Sequence, residues 1–265
     1  MLRLYLSNVL NLYKILFRRT NLKKHGSYTL KNRIKTGEQI IGVSIPMTAS
    51  KDEIGRILEK KDFDFISTDS QHSPFSEERL VQFCDYANDF GIPVNLRIKN
   101  TRHTYLIGNM LDLGPTGIEV PQVENLKTVK DAVDNFYFPQ KGNRSWGGGP
   151  KYLSREDLTR LETADWWNNH GILWMQIESL AAITSAHQIA AVDGVDVLSW
   201  GPADLSFNRE AYPDHPLKTD DDCIRHVINI LSSSTTQLCL RSYKPETRNV
   251  YLDMGVTMIL EGGFY

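Results

Sequence analysis

Two carboxylates each follow a short apolar segment, in positions where a protein can build a cation site. Glu178 comes directly after the apolar run 172–177, and Asp204 follows the run 195–200 behind a Gly-Pro turn. Such runs are typical of buried strands, and parallel α/β proteins gather functional side chains at the carboxyl ends of their strands. Two carboxylates that meet there offer oxygen ligands to Mg²⁺, Mn²⁺ or a similar ion. The alternative for each residue alone is a structural acid at the start of a helix.

Three other polar residues occupy comparable positions. Asp69 and His72 follow the apolar run 63–68, and Arg97 lies near the end of the run 93–98. Independent helix caps would not be expected to include a histidine and an arginine, so this convergence favours a single site.

The chemistry of these side chains fits enolate formation. An ion held by two carboxylates keeps open positions that can accept a 2-oxo acid and stabilise its enolate. Arg97 adds a fixed positive donor at the same oxygen. His72 is a candidate general base, oriented by Asp69, although a loop histidine with satisfied hydrogen bonds is the alternative. We find no lysine clearly at a strand end, which favours a metal mechanism over a Schiff base.

The elements that must position these residues alternate regularly along the chain. Helical patterns separate eight apolar runs, which predict strands at residues 39–46, 63–68, 93–98, 116–121, 172–177, 195–200, 236–240 and 256–260. This count and order predict a (β/α)₈ TIM barrel rather than an open doubly wound sheet. The polar segment 137–153 contains three consecutive glycines but lacks a phosphate-loop ending. We expect it to be a mobile loop near the active-site end of the barrel.

Composition excludes several classes of protein. The chain has 265 residues, of which 41% are hydrophobic and 23% charged, and a net charge of −2 gives no general attraction for nucleic acid. Its three cysteines are widely spaced and odd in number, which argues against a disulfide framework and favours a reducing, cytoplasmic location. No apolar run approaches the roughly 20 residues of a membrane span.

The N-terminal segment differs from the remainder. Residues 1–37 contain no Asp or Glu, and residues 2–19 have the pattern of a basic amphipathic helix. That helix could be a transit-type segment, a membrane-surface helix, or a helix that docks on its own domain. We therefore divide the chain into an N-terminal arm, residues 1–27, and a barrel domain, residues 28–265.

Several of these motifs together resemble the HpcH/HpaI aldolase family, metal-dependent class II pyruvate aldolases on a TIM barrel. The resemblance covers about residues 30–262 and is carried by Asp69-Ser70-Gln71-His72, Arg97, Gln176-Ile177-Glu178 and Gly201-Pro202-Ala203-Asp204-Leu205-Ser206. It implies cleavage of 4-hydroxy-2-oxo acids to pyruvate and an aldehyde, and the reverse addition. It also implies a homo-oligomer, with dimers assembled into hexamers.

The resemblance assigns roles residue by residue. It implies that Glu178 and Asp204 bind a divalent metal ion, Mg²⁺, Mn²⁺ or Co²⁺. It implies that Gln176 and the backbone around Ala203 and Asp204 contact the oxo acid, while Arg97 steadies the enolate oxygen. His72 with Asp69 is expected to handle protons, and Gln71 to contact substrate.

Three features depart from the family pattern. Gln71 stands where many members have glutamate, which affects the expected range of aldehydes. The chain ends directly after the eighth predicted strand, so we expect the family's final helix, which is exchanged between subunits, to be absent. The basic arm is extra, and we hypothesise that its helix covers the apolar surface left open by the missing one.

Two other functions fit the same sequence. One is a related carbon–carbon lyase or synthase that uses another oxo acid such as oxaloacetate, as citrate-forming members of the superfamily do. The other is a non-catalytic barrel that acts as a scaffold, associated with a membrane through the N-terminal arm. The complete set of Glu178, Asp204, Arg97 and His72 speaks against the scaffold.

Overall fold

The computed structural model describes residues 29–153 and 157–262, which form a closed barrel of eight parallel strands. Neighbouring strands pair in sequence order, and the last strand pairs with the first. The strands are β1 Ile40–Ser44, β2 Phe65–Asp69, β3 Val94–Arg97, β4 Gly117–Val120, β5 Ile172–Ile177, β6 Val197–Trp200, β7 Gln237–Ser242 and β8 Met258–Glu261. The predicted barrel is confirmed, and every strand bound lies within two residues of the prediction. The N-terminal helix predicted at residues 2–19 lies outside the described residues.

Helices connect the strands around the outside of the barrel. Many of them begin with a side chain that caps the first turn. Before the helix Lys51–Leu58, the Ser50 hydroxyl accepts a hydrogen bond from the Glu53 backbone N–H, and the Glu53 carboxylate accepts one from the Ser50 backbone N–H. The α-helices are Leu30–Lys35, Lys51–Leu58, Glu77–Asp89, Ile107–Asp112, Leu126–Phe136, Arg160–Asn168, Leu180–Thr184, Ala186–Ala190, Pro202–Ala211, Asp220–Leu231 and Pro245–Asp253, with a 3₁₀ helix at Thr101–Leu106. None of the described helices is both long enough and apolar enough to cross a membrane.

Apolar side chains close the amino end of the barrel interior. Ile34, from the helix Leu30–Lys35, packs against them from below. The buried members of this cluster are Ile34, Ile40, Phe65, Ile172, Trp174, Val197, Cys239, Met258 and Leu260. A β-carbon at Gly42 would lie 2.2 Å from Phe65 Cζ, so only glycine leaves room for that ring. The interior therefore meets solvent at the carboxyl ends of the strands, which we call the mouth.

A buried ion pair holds the first helix against this amino end. Lys31 Nζ lies 3.0 Å from Asp196 Oδ2 and donates hydrogen bonds to Tyr137 Oη at 2.8 Å and to the Gly171 carbonyl at 2.7 Å. Burial lowers the pKa of Lys31 to about 8, although the charge of Asp196 opposes that shift. The helix is thus fixed by charge as well as by Ile34.

The segment 137–153 lies away from the mouth, so our expectation for it was wrong. Tyr137 Oη donates to the carbonyl of Gly194, in the connection that leads into the amino end of β6, at 2.7 Å. Arg144 stacks over the rings of Phe138 and Trp167, at 4.7 Å from each. The physical reason is direction: the preceding helix starts at the mouth, so the segment after it begins at the opposite end.

Candidate active site

The strand register arranges the interior side chains nearest the mouth in two layers. In an eight-stranded barrel with a shear of eight, each layer takes residues from alternate strands. The register gives a lower layer of Ser67, Glu119, Ser199 and Leu260. It gives an upper layer, which we call the mouth layer, of Ser44, Arg97, Gln176 and Arg241. Two predicted site residues, Arg97 and Gln176, therefore share one level, and Glu178 lies above them.

Arg97 is held by the neighbouring strand β2 and by β5, two strands away. Its Nε and Nη2 donate to the two carboxylate oxygens of Asp69 at 2.8 and 2.7 Å, and its Nη1 donates to Gln176 Oε1 at 3.2 Å. Burial alone would raise the pKa of Asp69, but the hydrogen bonds and charge of Arg97 outweigh it and hold that pKa below its usual value. The guanidinium is thus fixed in a bidentate pair.

Asp69 orders the loop that carries His72, but not in the way we expected. Its carboxylate accepts the backbone N–H groups of Gln71 at 2.9 Å and of His72 at 3.2 Å. The His72 side chain is exposed, and no hydrogen bond joins its ring to the described part of the chain. The expectation that Asp69 fixes the imidazole tautomer is therefore not met, because both carboxylate oxygens are engaged by Arg97 and the backbone.

Gln71 carries an unpaired acceptor. Its side-chain oxygen is buried and has no hydrogen-bond partner within residues 29–153 and 157–262. Buried polar atoms are nearly always paired, so this oxygen is available to a donor on a bound molecule.

Glu178 is buried where two chain segments close around it. It is only 7% exposed, and its Oε1 accepts the backbone N–H of Gln122 at 2.8 Å. Gln122 reaches it with a left-handed φ of 49°, an unusual conformation for a residue other than glycine. Gly201 lies on the other side, where a β-carbon would be 2.2 Å from Glu178 Oε2. The carboxylate is therefore held in one place.

The structure brings Glu178 and Asp204 into each other's electric field. Asp204 is the third residue of the helix Pro202–Ala211, whose amino end starts at Gly201. Burial, followed by the charge of Asp204, raises the pKa of Glu178 to about 7. The described residues contain no group of three or more His, Cys, Asp or Glu side chains able to hold a metal. A cation at the mouth would therefore depend on this carboxylate pair together with water or substrate oxygens.

The sequence interpretation missed two charged residues inside the barrel. Glu119 is 1% exposed, and its Oε1 accepts hydrogen bonds from Arg241 Nη2 at 2.8 Å and from Ser199 Oγ at 2.7 Å. Both had a signal: Glu119 interrupts an apolar run, and Arg241 directly follows the run 236–240. Neither signal shows which partner the charge has.

A separate cavity of about 770 Å³ lies beside the rim of the mouth. Its lining includes Ser179, Asn208, Tyr212 and His215, between the helix Leu180–Thr184 and the end of the helix Pro202–Ala211. Neither Glu178 nor Asp204 lines it. The carboxylate pair and the mouth layer, rather than this cavity, therefore form the candidate active site.

The chain is similar to known proteins both in sequence and in fold. A sequence model of the HpcH/HpaI aldolase/citrate lyase family matches residues 47–220. The chain is 27% identical over 209 residues to a hydroxypyruvate/pyruvate aldolase from Delftia acidovorans, covering 78% of this chain and 76% of that protein. Its fold matches an HpcH/HpaI aldolase from Desulfitobacterium hafniense with a TM-score of 0.76 and 22% identity, over 89% of this chain and 91% of the other. A more distant match, at a TM-score of 0.52 and 11% identity over 89% of each chain, is CitE from Mycobacterium tuberculosis in complex with magnesium and acetate.

Proposed function

The chain belongs to the HpcH/HpaI aldolase/citrate lyase family, and from that membership and the geometry of the mouth we propose that it is a metal-dependent aldolase of 4-hydroxy-2-oxo acids. Its relatives are named aldolases, so the chain is a carbon–carbon lyase, as expected. The proposed reaction cleaves the substrate to pyruvate and an aldehyde, and also runs in reverse. The observation that carries the proposal is the buried Glu178 carboxylate, which lies above the mouth layer and close enough to Asp204 to feel its negative charge.

The carboxylate pair fits a divalent cation. Burial and the repulsion of a second carboxylate raise the pKa of an acidic side chain. A positive charge between the two carboxylates removes that repulsion and stabilises their ionised forms. Oxygen ligands of this kind suit Mg²⁺, Mn²⁺ or Co²⁺, and Glu178 and Asp204 would hold the ion. When bound, the ion supplies a Lewis acid that stabilises negative charge on the oxo acid. CitE, which binds magnesium, is a distant example of the same fold.

The remaining residues bind and orient the oxo acid. The helix Pro202–Ala211 directs its first backbone N–H groups, around Ala203 and Asp204, towards the mouth, where a helix amino end attracts a carboxylate. Gln176 lies in the mouth layer beside Arg97. Because Asp69 fixes the Arg97 guanidinium, that positive charge is in place before an oxyanion develops.

His72 is our candidate for proton transfer. It is exposed at the end of β2 on a loop that Asp69 holds through the backbone. An imidazole there takes a proton from the 4-hydroxyl group in the cleavage direction and returns it in the addition direction. Gln71, with its unpaired buried oxygen, is our candidate for contact with the aldehyde portion of the substrate.

Exchange of the methyl protons of pyruvate for solvent deuterium tests the proposal, because exchange requires enolate formation alone and no knowledge of the aldehyde. Mass spectrometry of pyruvate in D₂O should show exchange with Mg²⁺ or Mn²⁺ and none after chelation. Glu178→Ala and Asp204→Asn should abolish exchange. Asp253→Asn, an exposed carboxylate at the end of the helix Pro245–Asp253, is the matched control and should exchange normally.

Two results would contradict the proposal. One is absence of exchange with any divalent ion in a folded protein, which would favour the scaffold. The other is exchange that survives Glu178→Ala and Asp204→Asn at the rate of the Asp253→Asn control.

A further inference from the structure

Arg241 crosses the barrel to reach its partner. It projects inward from β7, and its Nη2 meets Glu119 Oε1 of β4, three strands away, at 2.8 Å. The strand register places Arg241 in the mouth layer with Arg97 and Gln176. A second guanidinium therefore lies at the level of the two residues expected to bind the oxo acid.

The two guanidiniums differ in how many donors they keep free. All three nitrogens of Arg97 donate to Asp69 or Gln176. In the described part of the chain Arg241 donates a hydrogen bond only through Nη2. Its Nε and Nη1 have no partner there and are not buried. Its side chain is 13% exposed, and since apolar residues close the amino end, this exposure is towards the mouth.

Stability alone gives little reason for the pair. A buried ion pair is often no more stable than apolar side chains of similar volume, and the amino end of this barrel is filled by apolar side chains. Glu119, whose carboxylate also accepts the Ser199 hydroxyl, anchors the Arg241 guanidinium through Nη2, and the partial exposure of that side chain leaves its other donors accessible. An oriented guanidinium with free donors is an anion-binding group.

The position of Arg241 relative to the carboxylate pair defines which anion it can reach. Extending the pairing of Ser199 with Cys239 by two residues sets Arg241 beside Gly201, the residue against which Glu178 packs. Neighbouring strands lie about 4.8 Å apart. An oxo acid held near Glu178 and Asp204 therefore has Arg241 within reach of the group attached to the carbon next to its keto carbon.

We propose that Arg241 extends the donor range beyond pyruvate by binding a second carboxylate of the oxo acid, so that among donors with a substituent in that place the enzyme prefers a carboxylate, as in oxaloacetate, to an uncharged group. The proposal rests on the proposed enolate chemistry for its location. It names Arg241 as a binding residue and Glu119 as the residue that positions it.

Oxaloacetate and 2-oxobutanoate form a matched pair of probes, because they differ by a carboxylate in place of a methyl group. Freshly prepared, each is measured as a competitive inhibitor of pyruvate exchange in initial-rate assays. We expect oxaloacetate to bind about ten- to a hundred-fold more tightly, as a charge-assisted hydrogen bond predicts. The double variant Glu119→Leu/Arg241→Leu, which leaves no buried charge unpaired, should reduce the ratio to near one.

Two further variants keep the test interpretable. Lys244→Leu removes an exposed positive charge at the same end of the barrel and should leave the ratio unchanged, which controls for general electrostatic attraction. Arg241→Lys keeps the charge beside Glu119 but loses the planar fork, and should give an intermediate ratio. It replaces the double variant if that protein does not fold.

A second readout separates failure of this inference from failure of the proposed function. The rise in Tm caused by each probe, with Mn²⁺ present, measures binding without turnover. Absence of pyruvate exchange would refute the enolate chemistry, while the Tm shifts would still test Arg241. A ratio near one in the unmodified enzyme, or the same ratio in the double variant, would refute the role of Arg241.

Discussion

Gly201 and Glu178 pack so closely that no larger residue fits at position 201. A β-carbon there would lie 2.2 Å from Glu178 Oε2 and 2.4 Å from Glu178 Cβ. The second distance matters most, because the Cβ atom is fixed by the backbone and cannot rotate away. The glycine that starts the helix Pro202–Ala211 thus sets the position of the carboxylate beside it.

Gly201→Ala should therefore weaken metal binding without removing a ligand. We expect an increase of about ten- to a hundred-fold in the Kd for Mn²⁺, the usual cost of disturbing a residue that positions a ligand. Calorimetric titration measures it. Gly149→Ala is the control, since its β-carbon would meet Thr163 Cγ2 at an ordinary 3.5 Å. Equal affinity in the two variants would show that Glu178 adapts freely.

Glu178→Gln should stabilise the metal-free protein at neutral pH. Burial and the charge of Asp204 raise the pKa of Glu178 from 4.5 to about 7, so between these values the folded state holds more protons than the unfolded state. Stability due to this group consequently falls as pH rises through 7. Relief of the charge is worth at most about 3 kcal/mol.

Chemical denaturation in the presence of chelator measures this effect. The advantage of Glu178→Gln over the unmodified protein should be largest above pH 7 and should disappear near pH 4.5. Saturating Mn²⁺ should reverse the order, because the ion stabilises only the protein that retains the carboxylate. A variant that is less stable than the unmodified protein at pH 8 without metal would contradict the argument.

Local sequence patterns predicted the barrel because each strand is marked by its own apolar run and each helix by its own periodicity. Contacts between distant strands have no such local mark. Glu119 meets Arg241 only because the register of a closed barrel brings β4 and β7 face to face. The sequence pairs Asp69 with His72 because Asp69 lies three positions earlier, but Arg97 on the next strand takes both carboxylate oxygens.

Arg97→Lys should preserve the positive charge but lose catalysis. A lysine cannot reproduce the two parallel bonds to Asp69 together with the third bond to Gln176. We expect kcat for pyruvate exchange to fall about a hundred- to a thousand-fold, the range for loss of one oxyanion donor. Arg79→Lys, which alters an exposed arginine bonded to Thr48 and Gln82, is the control. Comparable kcat values would exclude a role for the guanidinium fork.

Lys31→Met tests whether the ion pair at the amino end holds the first helix in place. The substitution leaves Asp196 buried, at 3% exposure, and within the described residues its remaining hydrogen bonds come from the Leu173 amide and from the Tyr137 hydroxyl, a donor that it shares with the Gly194 carbonyl. Breaking a buried pair in this way costs about 3–5 kcal/mol. We expect a corresponding loss in the free energy of unfolding, measured by denaturant titration.

Two comparisons isolate the cause of that loss. Lys35→Met, at the exposed end of the same helix, should change stability by less than about 0.5 kcal/mol. The double variant Lys31→Met/Asp196→Asn should recover part of the loss, because the stranded charge is gone while Tyr137 and Leu173 keep an acceptor. If Lys31→Met were as stable as Lys35→Met, the helix would be held by Ile34 and its apolar neighbours alone, and the ion pair would contribute nothing to closing the barrel.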